Sequence, residues 1–320
     1  MTPTLAVDAL SVHFGGRVAA VREASFQVQA AECLGIVGES GSGKTQVCLA
    51  AMGLLGAGAR TGGSIRFEGE EILDRPAATL NRIRGSKLTM VFQDPMTSLT
   101  PHLRIGTQLA EVLVCHAGMS WREAEAGALR ILDRMHIPEP QRRLRQYPHE
   151  LSGGMRQRVM IGMSLLCEPS LLIADEPTTA LDVTVQARII DLLRNVRQDT
   201  RMGVVLISHD IAVVASLADR ILVMYGGRVV EAGTTRTILD LALHPYTAAL
   251  LRCVPDLRHA RVERMPTLAG QAPSPASEEL GCAFAPRCPR ASERCRSERP
   301  LLSEQSAASH QVACHHPQSS

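Results

Sequence analysis

CLGIV (residues 33–37), GESGSGKT (38–45) and TQVCLAAMGLL (45–55) follow one another without a break, and this stretch decides the fold. The first is a short run of apolar residues with strand character, the third has helical apolar spacing, and the second is a glycine-rich loop joining them. Gly38-Glu39-Ser40-Gly41-Ser42-Gly43-Lys44-Thr45 fits G-x-x-x-x-G-K-[ST]. In that pattern glycines let the backbone wrap a polyphosphate with its N–H groups turned inward, and the helix start adds positive potential. Lys44 then reaches the β- and γ-phosphates, and Thr45 offers a hydroxyl to Mg²⁺. Lysine is rare here, since only Lys44 and Lys87 stand among the 34 basic residues, so its appearance in this loop is telling.

Working outward, LAVDALSVHF (5–14) and VREASFQVQ (21–29) alternate as strands on either side of a Gly-Gly turn, and SIRFEGEEIL (64–73) reads as a hairpin. After the strand LTMVF (88–92) the pattern turns helical over roughly 105–165. Strands at LLIA (171–174), GVVLI (203–207) and RILVMY (220–225) then alternate with helices. Strands alternating with helices predict a largely parallel α/β sheet covered on both faces, here with a helical insertion.

Two further segments carry chemistry. LLIADE (171–176) is an apolar strand ending in two carboxylates, at the sheet edge where α/β folds present ligands. Asp175 suits a magnesium shell and Glu176 suits a water to be deprotonated, although a strand ending in Asp-Glu is also a common loop start. LSGGMRQR (151–158) opens an amphipathic helix with Ser152, Gly153 and Gly154. Read alone, Ser152 is an N-cap; beside a phosphate loop elsewhere in the chain, the free N–H groups form a second anion site.

Five ordered motifs, GESGSGKT, VFQDPMTSL, LSGGMRQR, LLIADEPTTALD and LISHD, make residues 4–255 resemble the ATPase subunits of ATP-binding cassette (ABC) transporters. HPYTAALL (244–251) and the cysteine-bearing tail make the chain look most like the dipeptide/oligopeptide importer branch. The resemblance implies a P-loop NTPase (RecA-like) α/β core, an N-terminal antiparallel β subdomain and a helical signature subdomain over about 96–165. These make up a nucleotide-binding domain of residues 1–255, followed at 256–320 by a linker and a Cys-rich extension. It also implies that Gln93 ligates Mg²⁺ with Thr45 and Asp175, that Glu176 handles the attacking water, and that His209 contacts the γ-phosphate. Ser152, Gly153 and Gly154 would face nucleotide bound by an opposing subunit, with Asp182 at the dimer seam. Lys44 and Ser152 would then lie on opposite faces of one protomer, each completed by a second cassette.

Three departures from the family pattern stand out. Phe14 occupies the place of an adenine-stacking tyrosine, and a phenyl ring still stacks. Met155 replaces the commoner glutamine of the signature, as in the peptide branch. QAAEC (29–33) lacks the glycine that usually precedes the glutamate, which predicts an altered turn and no loss of function.

Cys282, Cys288, Cys295 and Cys314 are spaced C-x5-C-x6-C-x18-C. Clustered thiols in a reducing compartment suggest metal before disulfides, and the close pairs of a zinc site are missing. The alternatives are an iron–sulfur cluster, zinc, or a tail with incidental thiols, with His310, His315 and His316 as substitute ligands; the resemblance favours a [4Fe–4S] cluster. The remaining five, Cys33, Cys48, Cys115, Cys167 and Cys253, read as core residues.

Composition narrows the function classes. The 320 residues are 45% hydrophobic with a net charge of +2 and nine aromatics, which argues against disorder and against a nucleic-acid partner. No apolar run approaches the ~18–20 residues of a membrane span, and MTPTLAVDAL lacks the basic and apolar regions of a signal peptide. The expectation is therefore a peripheral ATPase on the cytoplasmic face of the inner or plasma membrane. Its partners would be a second ATPase subunit, identical or paralogous, two transmembrane permeases and, indirectly, an extracytoplasmic substrate-binding protein. Importers of nickel chelates or glutathione, or less favoured a soluble cassette ATPase, are the alternative readings.

Overall fold

The computed structural model describes residues 2–16, 18–92, 98–179, 182–253, 268, 270–274, 280–304 and 310–318. In chain order the strands are β1 (Leu5–Phe14), β2 (Val18–Val28), β3 (Cys33–Val37), β4 (Ala59–Phe67), β5 (Glu70–Glu71), β6 (Leu88–Val91), β7 (Leu171–Asp175), β8 (Gly203–Ser208), β9 (Arg220–Tyr225), β10 (Arg228–Thr234), β11 (Ser303–Glu304) and β12 (Gln311–Val312). The main helices are α1 (Lys44–Met52), α2 (Ile105–Ala117), α3 (Trp121–Arg134), α4 (Gly153–Leu165), α5 (Val183–Thr200), α6 (Ile211–Leu217), α7 (Thr235–Asp240) and α8 (Pro245–Arg252). Contacts divide the chain into two compact units: Met1–Thr4, Val28–Glu32 and Arg75–Val205 form the first, and Leu5–Gln27, Cys33–Asp74 and Leu206–Ser320 the second.

In the second unit β3 is buried at all five positions and pairs in parallel with β9, from Leu34 opposite Arg220 to Val37 opposite Val223. Such double-sided burial is what an uninterrupted apolar run is for. β10 then runs antiparallel to β9, β12 to β10 and β11 to β12, so the last strands of the chain extend this sheet. A separate antiparallel sheet has the order β2-β1-β4-β5. Its β1 alternates burial along much of its length, the mark of a sheet with one wet face.

In the first unit β6 and β7 pair in parallel, Leu88 opposite Leu171 through Val91 opposite Ala174. The helices beside them pack through small and branched residues, with Ala110, Leu113 and Ala124 forming one buried cluster. Each large aliphatic side chain buried this way contributes roughly 1.5–3 kcal/mol. Ser120 starts α3 with a full capping box, accepting from the Glu123 N–H while the Glu123 carboxylate accepts from the Ser120 N–H. α2 buries Ile105, Gln108, Leu109, Ala110 and Leu113. Cys115, two residues beyond Leu113 and so about 200° around the helix, is exposed, which corrects its assignment to the core. Cys167 and Cys253 are only partly buried, whereas Cys33 and Cys48 are core residues as expected.

At QAAEC the backbone keeps a glycine-like turn rather than the altered one expected. Ala31 takes the place of the glycine and adopts φ 62°, the left-handed region that suits glycine, with its N–H donating to Arg201 O at 2.8 Å. Among the described residues no helix is long and apolar enough to cross a membrane.

Candidate functional site

The glycine-rich loop belongs to the second unit. Lys44 is 5% exposed and its ammonium donates to Gly38 O (2.7 Å), Glu39 O (2.9 Å) and Ser42 Oγ (3.4 Å), so it is folded back along the loop it ends. Gly43, which precedes α1, has φ 98°, and a Cβ there would lie 2.3 Å from Ala20 O; only glycine fits. Gly38 is similarly enclosed, by Met224 O and Ser42 Oγ. α1 carries no side-chain cap at its start, so its first N–H groups are offered to whatever the loop surrounds. Ser40 and Gly41 are exposed, and Thr45 is half-buried in the first turn of α1.

Two groups distant in sequence fix the same loop. The Glu39 N–H donates to Tyr246 Oη at 2.8 Å, and the Glu39 carboxylate is gripped by Arg287. Phe14 closes β1 opposite Ala59 and is half-buried, and His209 follows β8 at an exposed position. Asp210 caps α6 by accepting from the Ala212 and Val213 N–H groups.

The first unit carries the remaining described candidates. Asp175 ends β7 and is 2% exposed. Glu176 follows with φ 47°, a left-handed conformation that turns its side chain out of the strand direction, and Thr179 Oγ donates to its Oε2 at 2.8 Å. Ser152 caps α4, its Oγ accepting from the Met155 N–H at 3.3 Å, and Asp182 caps α5 by accepting from the Val185 N–H at 2.9 Å. The two helix starts are neighbours: a Cβ on Gly154 would lie 2.9 Å from Val185 Cγ1, so Gly154 allows that approach. Behind them Arg158 donates to Met135 O (3.3 Å) and His136 O (2.6 Å). Gln93 lies outside the described residues.

In the extension, Cys282, Cys288, Cys295 and Cys314 line one small cavity together with His244, His315 and His316. Burial pushes the Cys282 and Cys288 thiols up and that of Cys314 up to about 11. His244 is buried, its Nδ1 accepts from the Tyr246 N–H, and burial holds it down at about 4, hence neutral. Its Nε2 has no hydrogen-bond partner among the described residues. The four cysteines share a cavity, yet among the described residues no group of three or more His, Cys, Asp or Glu stands ready to hold a metal ion. The expected [4Fe–4S] ligation is thus not preformed there. His310, the other substitute ligand, is instead bound to Glu231 at 2.7 Å.

A family model described as "ABC transporter" matches residues 21–179, and one described as "Oligopeptide/dipeptide transporter, C-terminal region" matches 230–295. The oligopeptide transport ATP-binding protein OppD of Escherichia coli (strain K12) is 52% identical over 286 residues, covering 89% of this chain and 85% of that protein. The chain belongs to the ABC transporter family. The dipeptide transport ATP-binding protein DppD of the same organism is 46% identical over 317 residues, covering 98% of this chain and 96% of its own. Among solved structures, the dimeric bacterial ABC transporter cassette MJ0796 aligns with a TM-score of 0.65 at 27% identity, over 72% of this chain and 99% of that one. Another MJ0796 structure, a post-hydrolysis state bound to ADP and Pi, aligns with a TM-score of 0.64. This ABC ATPase therefore has the P-loop NTPase fold expected from its motifs, with a parallel-strand core and an antiparallel β sheet. Of the supports of the site, Thr179 lies inside LLIADEPTTALD and Tyr246 inside HPYTAALL, whereas no quoted motif contains Arg287.

Proposed function

We propose that this chain is the ATP-hydrolysing, energy-coupling subunit of an importer for dipeptides or oligopeptides. What supports the reading is the presence in one chain of a phosphate loop with a buried, loop-bound lysine and of a C-terminal region of the peptide-transporter kind. Gly38–Thr45 cradle the phosphates, Phe14 stacks on the adenine, and Lys44 neutralises the β- and γ-phosphates. Mg²⁺, when bound by Thr45, Gln93 and Asp175, screens the charge that develops on the same oxygens. Glu176 accepts a proton from the attacking water as the new bond to the γ-phosphorus forms and the bond to the β–γ bridging oxygen breaks, giving ADP and phosphate. His209 contacts the γ-phosphate.

A second cassette, identical or paralogous, supplies its own Ser152, Gly153, Gly154 and Asp182 or their counterparts to complete each site. Two permease subunits form the channel, α2 and the segment after Gln93 meet them at the cytoplasmic face of the membrane, and a substrate-binding protein delivers cargo outside. Residues 1–255 are the nucleotide-binding domain, with its helical subdomain at about 96–165, and 256–320 the linker and extension. Cys282, Cys288, Cys295 and Cys314 would hold a [4Fe–4S] cluster, and thiolate ligation by all four would cross-link the extension. The fit lies in the donor set, four thiols on one cavity, and iron and acid-labile sulfide analysis of anaerobically purified protein tests it.

The test of the whole reading is purification from membranes followed by reconstitution. Two permeases and a second cassette are expected to co-purify, and labelled dipeptide or oligopeptide to accumulate in vesicles only with ATP. A chain that purifies without permeases, or a complex whose ATP hydrolysis moves no peptide, would overturn it.

A further inference from the structure

The phosphate loop carries an acid where it has to receive a polyanion. Glu39 is the second residue of GESGSGKT, its carbonyl oxygen accepts from Lys44 Nζ at 2.9 Å, and its carboxylate stands on the same loop. A carboxylate there opposes the charge of a bound triphosphate unless something cancels it. Arg287 does so bidentately, Nη1 to Oε2 at 2.7 Å and Nη2 to Oε1 at 3.0 Å. This is a partly buried pair, the arginine side chain 5% and the glutamate side chain 25% exposed, and fork-to-fork geometry is the strong form of the interaction. Nη1 also donates to Tyr225 Oη at 3.1 Å, and the guanidinium lies 5.8 Å from the centroid of that ring. Tyr225 packs on Tyr246 with centroids 4.5 Å apart, and Tyr246 Oη accepts from the Glu39 N–H. Side chain and main chain of one loop residue are thus held by two elements that follow it by more than 200 residues.

Arg287 reaches the loop from the cysteine-bearing extension. It ends the turn Ala285–Arg287, directly before Cys288, and the turn is tied to Cys282 through the Ala285 N–H to Cys282 O bond. Phe284, which starts the turn, lies edge-on to Tyr225 at 5.3 Å. We propose that Arg287 is a positioning residue of the nucleotide site: the extension uses it to neutralise Glu39 and, with Tyr246, to hold the phosphate loop in the shape that admits a triphosphate. The extension is then a part of the ATP site.

This proposal rests on the assignment of residues 38–45 as the nucleotide loop, and the test separates the two. ATP affinity is measured by titration calorimetry on the full-length chain for wild type, Arg287→Ala, Arg287→Lys, Glu39→Gln and the double variant Arg287→Ala/Glu39→Gln. Arg287→Ala is expected to weaken ATP binding about tenfold, the scale of one lost charge-assisted contact, and Arg287→Lys about threefold, because an ammonium cannot fork. In steady state KM for ATP rises while kcat changes little. Removing the acid as well should restore affinity to within about threefold of wild type, a rescue that a purely structural arginine would not show. Binding by Arg287→Ala within twofold of wild type, or a double variant as weak as Arg287→Ala, overturns the proposal. If Arg287→Ala does not fold, Arg287→Lys with and without Glu39→Gln gives the same comparison. Wild-type protein that fails to bind ATP would instead overturn the loop assignment.

Discussion

Glu231→Ala should release the end of the chain. The Glu231 side chain is completely buried in β10; Oε1 accepts from the Leu243 N–H at 2.7 Å and Oε2 from the His244 N–H at 3.0 Å. His310 Nε2 lies 2.7 Å from Oε1, and Glu231 sits opposite Val312 in the pairing of β10 with β12. Truncation leaves two backbone N–H groups and an imidazole without their acceptor. At about 1–3 kcal/mol for each orphaned buried group, the two amides alone give roughly 2–6 kcal/mol. β12 contributes only two residues of ladder, so little else opposes its opening. Hydrogen exchange read by mass spectrometry on peptides covering 310–318 measures that opening directly, and a loss of 2 kcal/mol is about thirtyfold in exchange rate. Glu231→Gln, which keeps one acceptor oxygen but turns an amide NH₂ toward a donor, should fall between wild type and Glu231→Ala. An exchange rate in Glu231→Ala within threefold of wild type would refute the idea that this carboxylate latches the C-terminal segment.

Two further substitutions test local backbone claims. Ala31→Gly should stabilise the protein by about 0.5–1 kcal/mol, because φ 62° costs alanine more than the extra freedom of glycine costs in the unfolded chain; a lowered Tm would contradict this. Gly43→Ala puts a methyl 2.3 Å from Ala20 O, so ATP affinity should fall more than about tenfold while far-UV circular dichroism is retained, and an unchanged affinity would show that the loop need not hold this shape.

The cassette was legible from sequence because its signals are local. CLGIV is apolar at four of five positions and becomes a strand buried on both faces, GESGSGKT can only be a loop of this kind, and Ser152 and Asp182 each cap the helix that follows them. β10 and β12 carried no comparable signal: β12 is two residues long, and it exists because Glu231 and the edge of β10 await it. The same holds for Arg287, separated from Glu39 by 248 positions. An arginine among 31 others announces nothing until the fold brings it to an acid, and the tail's cysteines point to metal instead. Cys115 departs from expectation for a different reason: residue type favours burial, while its angular position on α2 turns it to solvent.

Glu176→Gln in the purified transporter complex is the most direct measurement of the motor assignment. The amide keeps an acceptor for Thr179 Oγ and so leaves the turn after β7 intact, but it cannot take a proton from water. Phosphate release should fall about 10²–10⁴-fold while ATP affinity stays within about threefold of wild type. Phosphate release at the wild-type rate would contradict Glu176 as the proton acceptor and, with it, the mechanism of hydrolysis set out above.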